Sequence, residues 1–170
     1  MLVEGIKPIK VTELAARAEI NRKTFYTHYD TIEDLADSYI SVLQEDLYHR
    51  LNAHSAAEYL SHRGLLINTF SEFFVANQDF YTSILFQDEY WPSVRRVQDE
   101  ITSDLASRFA AVTDKSLDDA TLIVTFTCST MLTMLRLRAK GRIKLNPAEI
   151  RDKIADLNIG GLSGAMGLEI

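Results

Sequence analysis

The sequence predicts an all-α protein, and three observations support that prediction. Apolar residues recur at helical spacing over most of the 170-residue chain, for example in the segment 32–51. No segment shows the sustained alternation of apolar and polar residues that marks a half-buried strand. Helix-start signals precede the periodic segments, most clearly in the segment 146–149 (NPAE), which offers an N-cap, a proline at the first helical position and a glutamate at the third.

The first expected elements are two short helices followed by a long one. Residues 12–18 form the first helix, with Leu14 and Ala18 on one face, and residues 19–21 break it. Asn21 is a good N-cap for the second helix, because its side-chain oxygen can accept from the orphan N–H groups of the next turn. The long helix follows, and later helices are expected at 65–75, 93–112, 116–138 and from residue 147.

Composition is ordinary for a soluble protein, with 46% hydrophobic and 25% charged residues. The single cysteine, Cys128, excludes a disulfide within one chain and suits a reducing compartment. The most apolar stretch, 122–135, is interrupted by five serine or threonine residues and is shorter than a bilayer requires. With no signal-peptide pattern in view, we expect a cytoplasmic protein without a membrane partner.

The net charge of −6 is unevenly distributed. Between residues 7 and 28 five cations stand against two acids, whereas between residues 30 and 46 six acids stand against no lysine or arginine. A basic tip on an acidic chain is the charge pattern of a protein that meets DNA through a small part of its surface. Because the tip is modest, affinity for DNA is expected to depend on dimerisation.

Two cations occupy the first turn of the second short helix. Arg22 and Lys23 repel the positive end of the helix dipole there, a placement that makes sense if this helix end must meet an anion. Phe25 and Tyr29, four residues apart, form the expected buried face, and Tyr26 presents its polar tip elsewhere. This is the pattern of a helix-turn-helix whose second helix enters the major groove by its N-terminal residues.

The segment 11–35 follows the pattern V-x-E-L-A-x-R-A-x-I-x-R-x-T-F-Y-x-H-Y-x-x-x-E-D-L and resembles the TetR family of transcriptional regulators. The aromatic run at 24–29 is its most specific part. The resemblance implies a helix-turn-helix DNA-binding head, a long connecting helix, a helical body for ligand binding and dimerisation, and a homodimer on a palindromic double-stranded DNA operator. The residues expected to contact DNA are Lys10, Thr12, Arg22, Lys23, Thr24, Tyr26 and His28.

Three features depart from that family pattern. The family has a helix before the position of Gly5, and so little precedes Gly5 here that the first helix of the head is largely missing. A phosphate-contacting lysine that the family often carries is replaced by Ile32, and the turn glycine is replaced by Glu19, which is costly if that residue is left-handed. We therefore expect a head that is partly uncovered, less stable than the body and weak in operator binding.

The expected organisation is a DNA-binding domain with its connecting helix at 1–50, an effector-binding and dimerisation domain at 51–158, and a flexible glycine-rich tail at 159–170. The short body and the motif Q-D-F-Y-x-x-I-L at 78–85 resemble a compact subgroup of the family. That subgroup includes the regulators of dihydroxyacetone kinase operons, and some of its members act through protein partners.

The aromatic residues of the body either fill its core alone or bound an apolar effector pocket with polar hooks, and both interpretations stay open. The candidate pocket residues are Phe70, Phe74, Tyr81, Leu85, Trp91, Phe126 and Thr130. The last two long helices are expected to form a homodimer seam, because small residues at spacing four permit close helix approach. The candidate interface residues are Thr125, Ser129, Leu132, Arg136, Ile150 and Ile154.

No catalytic constellation is predicted. His49 and His54 lie five residues apart, which is not a clean helical metal pair, and the sequence contains no HExxH or CxxC motif. Cys128 has no visible histidine partner, so a small buried residue at a helix contact is favoured over a reactive thiol. The acidic pair 118–119 stands at a helix start, where carboxylates favour the dipole. We expect no enzyme activity, no metal and no cofactor.

Two functions remain. The leading hypothesis is a DNA-binding transcriptional regulator, a repressor that a small-molecule effector releases from a palindromic operator. The alternative is a dimeric helical interaction protein, or co-regulator, that acts through a protein partner with weak or no DNA binding. Operator binding by this chain would separate the two.

Overall fold

The computed structural model describes residues 10–62, 64–80 and 87–166, with side chains as far as residue 157. The regular elements in these ranges are all helices, which confirms the all-α prediction. The helices are α1 (Val11–Arg17), α2 (Arg22–His28), α3 (Ile32–Asn52), α4 (Ala56–Ser61), α5 (Leu65–Ala76), α6 (Gln78–Phe80), α7 (Trp91–Ala110), α8 (Leu117–Ala139) and α9 (Pro147–Met166).

The chain divides into two compact units, Met1–Glu45 and Asp46–Ile170. The described part of the first is here called the head, and that of the second the body. In the head, α1 and α2 pack on each other around Ala15 and Phe25, which are both buried. Ala15 replaces Ala18 on this face, because α1 ends at Arg17 and Ala18 already belongs to the turn.

The turn between α1 and α2 is built as the sequence predicted. The side-chain oxygen of Asn21 accepts from the backbone N–H of Lys23 at 2.9 Å, which caps α2. Glu19 is left-handed, with φ of 54°, so a residue with a β-carbon holds the conformation that glycine adopts most easily. The replacement of the turn glycine by Glu19 is therefore costly to stability, as expected for a left-handed residue.

Reciprocal caps begin α3 and two long helices of the body, α8 and α9. At the start of α3, the Thr31 N–H donates to Asp34 Oδ2 at 2.9 Å and the Asp34 N–H donates to Thr31 Oγ1 at 3.0 Å. Ser116 and Asp119 form the same box at α8, which confirms that the acidic pair marks a helix start. Asn146 and Glu149 do so at α9.

The body is built around α8, which packs most extensively on α7 and also on α9. α9 packs on α5 as well, and α4 contacts both α5 and α7. Leu105 of α7 and Val124 of α8 are among the most deeply buried side chains. α8 ends in a Schellman motif: Gly141 is left-handed, its N–H donates to the Arg138 carbonyl, and the Arg142 N–H donates to the Leu137 carbonyl.

The C-terminal end of α3 is held by a single arginine of α7. Arg108 donates from Nη1 to Asn52 Oδ1 at 3.1 Å and from Nη2 to the carbonyls of Leu51 and His54, at 3.3 and 2.8 Å. The Tyr59 hydroxyl donates to the same Leu51 carbonyl at 3.1 Å. These bonds satisfy carbonyls that a helix end leaves without intrahelical partners.

Helix α9 exceeds its predicted length, and α8 is longer than the apolar stretch 122–135 within it. α9 continues to Met166, although glycines from residue 160 predicted a flexible segment; a helix already nucleated absorbs a glycine at a cost of about 1 kcal/mol. Residues 167–170 of the predicted tail lie outside the described residues. α8 has 23 residues and a mean hydropathy of 1.4 over its best window, so its length and composition suffice to cross a membrane, contrary to the expectation from 122–135. A core helix of a soluble protein passes the same test.

Candidate functional site

A cleft of about 410 Å³ opens on the head. Four of the residues predicted to contact DNA line it, from two segments of the sequence. These residues are Lys10, Thr12, Arg22 and Tyr26. Val11, Thr31, Ile32 and Glu33 complete the lining. The fold therefore brings together polar and cationic groups that the sequence could only place on separate helices.

Helix α2 supplies two of these side chains from one face. Arg22 is its first residue and Tyr26 is one turn further on, so both point to the same side. The Tyr26 ring packs edge-on against buried Phe25, with 5.4 Å between centroids, yet 55% of the residue is exposed. The ring thus packs against the core of the head while more than half of the residue stays exposed.

The cations of this surface have no counter-ion among the residues that the structure describes. Lys10, Arg22 and Lys23 are exposed, and none of them forms an ion pair within the described residues. Among the described residues, Glu33 is the one acid that lines the cleft. Unpaired cations are available to an external anion without the loss of an internal salt bridge.

The remaining predicted DNA contacts lie beside the cleft rather than in it. Lys23, Thr24 and His28 are exposed on α2 but do not line the cleft. Thr31 and Glu33 were missed by the sequence analysis, because their place beside α1 follows from tertiary packing and not from local pattern. Ile32 takes the expected lysine position and lines the cleft with apolar atoms.

The candidate effector residues do not share one environment. Phe70 and Phe74 are buried, Trp91 and Thr130 are half-buried, and Phe126 is 58% exposed. Phe126 therefore cannot bound an enclosed cavity within one chain, and its assignment to such a pocket is wrong. Its helical phase places it opposite the buried face of α8. Tyr81 and Leu85 lie outside the described residues.

A separate surface cleft of about 380 Å³ lies between α5 and α9. Its lining is mixed, with Asn68, Ser71, Glu72 and Arg151 beside the small apolar residues Val75, Ala76 and Ala148. None of the predicted effector residues lines this cleft.

The candidate dimer residues also differ in their exposure. Ile150 and Ile154 are each only 2% exposed inside a single chain, so they belong to the monomer core and their assignment to the seam is wrong. They face inward because α9 packs on α5 and α8. Ser129 accepts a hydrogen bond from Gln98 of α7 at 2.6 Å.

The other candidate dimer residues include one that is fully exposed. Thr125 is exposed, Leu132 is half-buried, and Arg136 binds Asp88 of its own chain.

The outer face of α8 is apolar and unburied. Leu122 is 71% exposed, Phe126 lies one turn further on, and Thr125 and Thr133 extend the stripe. This surface, the α8 stripe (Leu122, Thr125, Phe126 and Thr133), was missed because the inner and outer faces of α8 are almost equally apolar. Only packing against α7 and α9 decides which face is outside.

Cys128 is a buried residue of α8, as predicted. Burial raises the pKa of its thiol to about 12, so the thiolate does not form near neutral pH. The side chain therefore fills space at a helix contact and is not a nucleophile.

No family model, no curated protein and no solved structure matches this chain. Its function is therefore inferred from the residues and the geometry of the head and the body.

Proposed function

We propose that this chain is a DNA-binding transcriptional regulator of the TetR type, a cytoplasmic, non-enzymatic repressor that binds a palindromic operator as a homodimer and is released by a small effector. The observation that carries this proposal is the head cleft, where Lys10, Arg22 and Tyr26 converge with Thr12. Two cations and two hydroxyls around one opening are the donor set that binds a DNA phosphate.

The position of Lys23 and Thr24 supports the same function. They follow Arg22 in the exposed first turn of α2, the part of a recognition helix that reaches base edges in the major groove. In this arrangement the cleft holds the backbone and sets the register, while Lys23 and Thr24 meet the bases.

The test is binding of the full chain to a labelled duplex taken from the region upstream of its own gene, followed by fluorescence anisotropy at several salt concentrations. Each lost phosphate contact lowers the slope of log K against log salt by about 0.9. Arg22→Ala together with Tyr26→Phe is expected to weaken binding and to flatten this slope. Lys153→Gln is the matched control, because it removes an exposed cation from the body.

Two results of this experiment would contradict the proposal. Equal affinity and slope for the wild type and the Arg22→Ala/Tyr26→Phe variant would show that the head cleft does not hold DNA. An equal loss in Lys153→Gln would show that the wild-type binding depends only on net charge.

We propose the α8 stripe as the dimer contact, in place of the buried residues Ile150 and Ile154. Exposed leucine and phenylalanine side chains on adjacent turns are the kind of apolar surface that a second copy covers. A two-fold axis would bring the stripe of one chain onto the same stripe of its partner. Small Thr125 allows the two helices to approach closely.

Light scattering at micromolar concentration tests this contact against the 19.3 kDa mass of one chain. Phe126→Asp is expected to convert a dimer into a monomer, because it places a charge in the centre of the stripe. Val112→Asp is the control, since Val112 is exposed but lies outside α8. A dimer that survives Phe126→Asp unchanged would exclude the stripe.

The second candidate function is a helical interaction protein that acts through a protein partner. The exposed α8 stripe favours it, because the same apolar face can dock a different helix. This candidate gains if the chain stays monomeric and the duplex does not bind.

A further inference from the structure

Four side chains of the body meet at the C-terminal end of α8. Arg136 and Lys140, one turn apart, both donate to Oδ1 of Asp88, and the Lys140 Nζ to Oδ1 distance is 2.7 Å. The guanidinium carbon of Arg136 lies 4.1 Å from the centre of the Trp91 ring. Neither Asp88 nor Lys140 was singled out by the sequence.

The arginine of this cluster is incompletely satisfied. Its Nη2 binds Asp88, but its Nε is buried and makes no hydrogen bond within the described residues. Nε and Nη2 form one edge of the guanidinium fork, which a single carboxylate can engage with both oxygens. Asp88 instead offers one oxygen to both cations, and this leaves half of the arginine edge without an acceptor.

The exposure of Asp88 argues against a purely structural role for its ion pairs. Its side chain is 79% exposed, and exposed ion pairs add little to stability because water screens them. Hydrogen bonding and charge from Lys140, with smaller effects of Arg136, hold the pKa of Asp88 below its ordinary value, so this carboxylate is ionised at neutral pH.

The tryptophan fixes the cation while leaving its donors available. An arginine stacked on an indole ring gains cation–π attraction through its face, so the ring does not use the N–H groups that lie along the edges of the guanidinium plane. The surroundings favour an anion: residues 120–148 contain five arginines and lysines, all between 136 and 144, and no acid.

We propose that Arg136 and Lys140, beside Trp91, form a binding site for a small organic carboxylate, and that Asp88 occupies this site when no ligand is bound. A ligand carboxylate would pair with Nε and Nη2 of Arg136 together and with Nζ of Lys140, and an aromatic or other apolar part would pack beside Trp91. Binding requires contacts in the body alone; only the further role of such a ligand as the effector rests on the proposed function.

Competition with Asp88 sets the expected size of the effect. When an internal group closes a site for most of the time, the apparent affinity falls by the fraction that stays open. Asp88→Asn removes the competing charge and keeps the shape, so the ligand should bind more tightly to this variant. For a site that is open roughly one tenth of the time, the gain is about tenfold.

The chain contains a single tryptophan, so its fluorescence reports this site directly. The experiment titrates the full chain with sodium benzoate at constant ionic strength, with benzamide as the uncharged analogue of similar shape. We expect benzoate to change the emission of Trp91 and benzamide to have no effect at the same concentrations. Asp88→Asn should lower the dissociation constant for benzoate about tenfold.

Two further variants distinguish the effect of the paired N–H groups of Arg136 from the effect of net charge. Arg136→Lys keeps the charge but loses the paired N–H edge and should weaken benzoate binding at least tenfold. Arg142→Lys is the matched control, because Arg142 is exposed near the same helix end and is not a partner in the ion pairs of the cluster. It should bind as the wild type does.

Several results would overturn the proposal. Benzoate that binds no more tightly to Asp88→Asn than to the wild type would show that Asp88 is not a placeholder. Equal effects of benzoate and benzamide, or equal losses in Arg136→Lys and Arg142→Lys, would exclude a carboxylate site. Asp88→Asn is an exposed substitution, so a lower melting temperature without tighter binding would identify the cluster as a structural ion pair only. None of these measurements involves DNA, so they fail or succeed independently of the proposed function.

Discussion

The head and the body are both built from helices, but the helices of the body bury more large side chains. The two short helices of the head have seven residues each, and Phe25 is the one large buried side chain that they contain. The body has helices of 20 residues or more, and its largest fully buried side chains include Leu105 and Val124. Isolated helices as short as α1 and α2 are marginal in water, so the head depends on very few contacts.

This difference coincides with a difference in charge. Lys10, Arg22 and Lys23 of the head form no ion pair with any residue that the structure describes, whereas Arg50, Arg108, Arg136 and Lys140 of the body are paired with aspartates. Cations without an internal partner can receive an external anion without first breaking a salt bridge. Elements that bind ligands are commonly drawn from the less stable part of a protein, which agrees with the proposal that the head binds DNA.

The largest expected effect compares one core residue from each unit. Phe25→Ala should cost about 3–5 kcal/mol, and Leu105→Ala about 2–5 kcal/mol. Hydrogen exchange followed by mass spectrometry should show loss of protection in α1 and α2 for Phe25→Ala, with α8 unchanged. Leu105→Ala should lower protection throughout α7 and α8. If Phe25→Ala lowered α8 protection equally, the two units would unfold together.

A smaller effect on stability is expected when matched N-cap side chains are removed, one from the head and one from the body. Asn21→Ala and Ser116→Ala each remove a side-chain acceptor from a helix start and should each cost about 1 kcal/mol. Because the head has less core, the same loss should open α2 at a lower urea concentration than it opens α8. Similar urea profiles for the two variants would remove the proposed difference in stability.

Glu19→Gly tests the strained turn of the head. Relief of the left-handed conformation, worth about 1–2 kcal/mol, is partly offset by the greater freedom of glycine in the unfolded chain, so a net gain of up to about 1 kcal/mol is expected. Protection in α1 and α2 should rise. Gly64→Ala is the counterpart in the body and should destabilise it, because Gly64 has a φ of 79°.

The smallest effect is a pH dependence of the body. Hydrogen bonds from the backbone and side chain of Ser55 lower the pKa of Glu58 below 4.5. A carboxylate with a lowered pKa contributes stability above its ordinary pKa and loses it as the pH falls through the folded value. Glu58→Gln should therefore reduce the loss of stability as the pH drops below about 4.5, measured by urea unfolding. Glu89→Gln, an exposed carboxylate outside the caps, should leave that slope unchanged.

Features that depend on neighbours in sequence were predictable. Asn21 caps α2, Ser116 begins α8, and the NPAE segment begins α9, because a capping bond joins residues two or three apart. For Glu19 only a condition followed from the sequence, a cost if this residue is left-handed, and the φ of 54° meets that condition. The helical character of the chain followed from its periodicity.

Features that depend on packing were not predictable in the same way. Ile150 and Ile154 were correctly recognised as an apolar face, but only contact with α5 and α8 shows that this face is internal. Phe126 was chosen for its aromatic ring, and its helical phase puts it outside. Arg136 and Asp88 are 48 residues apart, so no local pattern could pair them.

The bonds from Arg108 to the end of α3 have a consequence for synthesis. The carbonyl groups that this side chain binds come 54 and 57 residues earlier in the chain. At ~5–20 residues per second, a ribosome needs on the order of 3–10 s to make the intervening segment. During that interval the last turn of α3 lacks its final partner and frays into water. A translational pause between residues 62 and 108 would lengthen this exposure, and thus the time during which a chaperone or protease can engage the nascent chain.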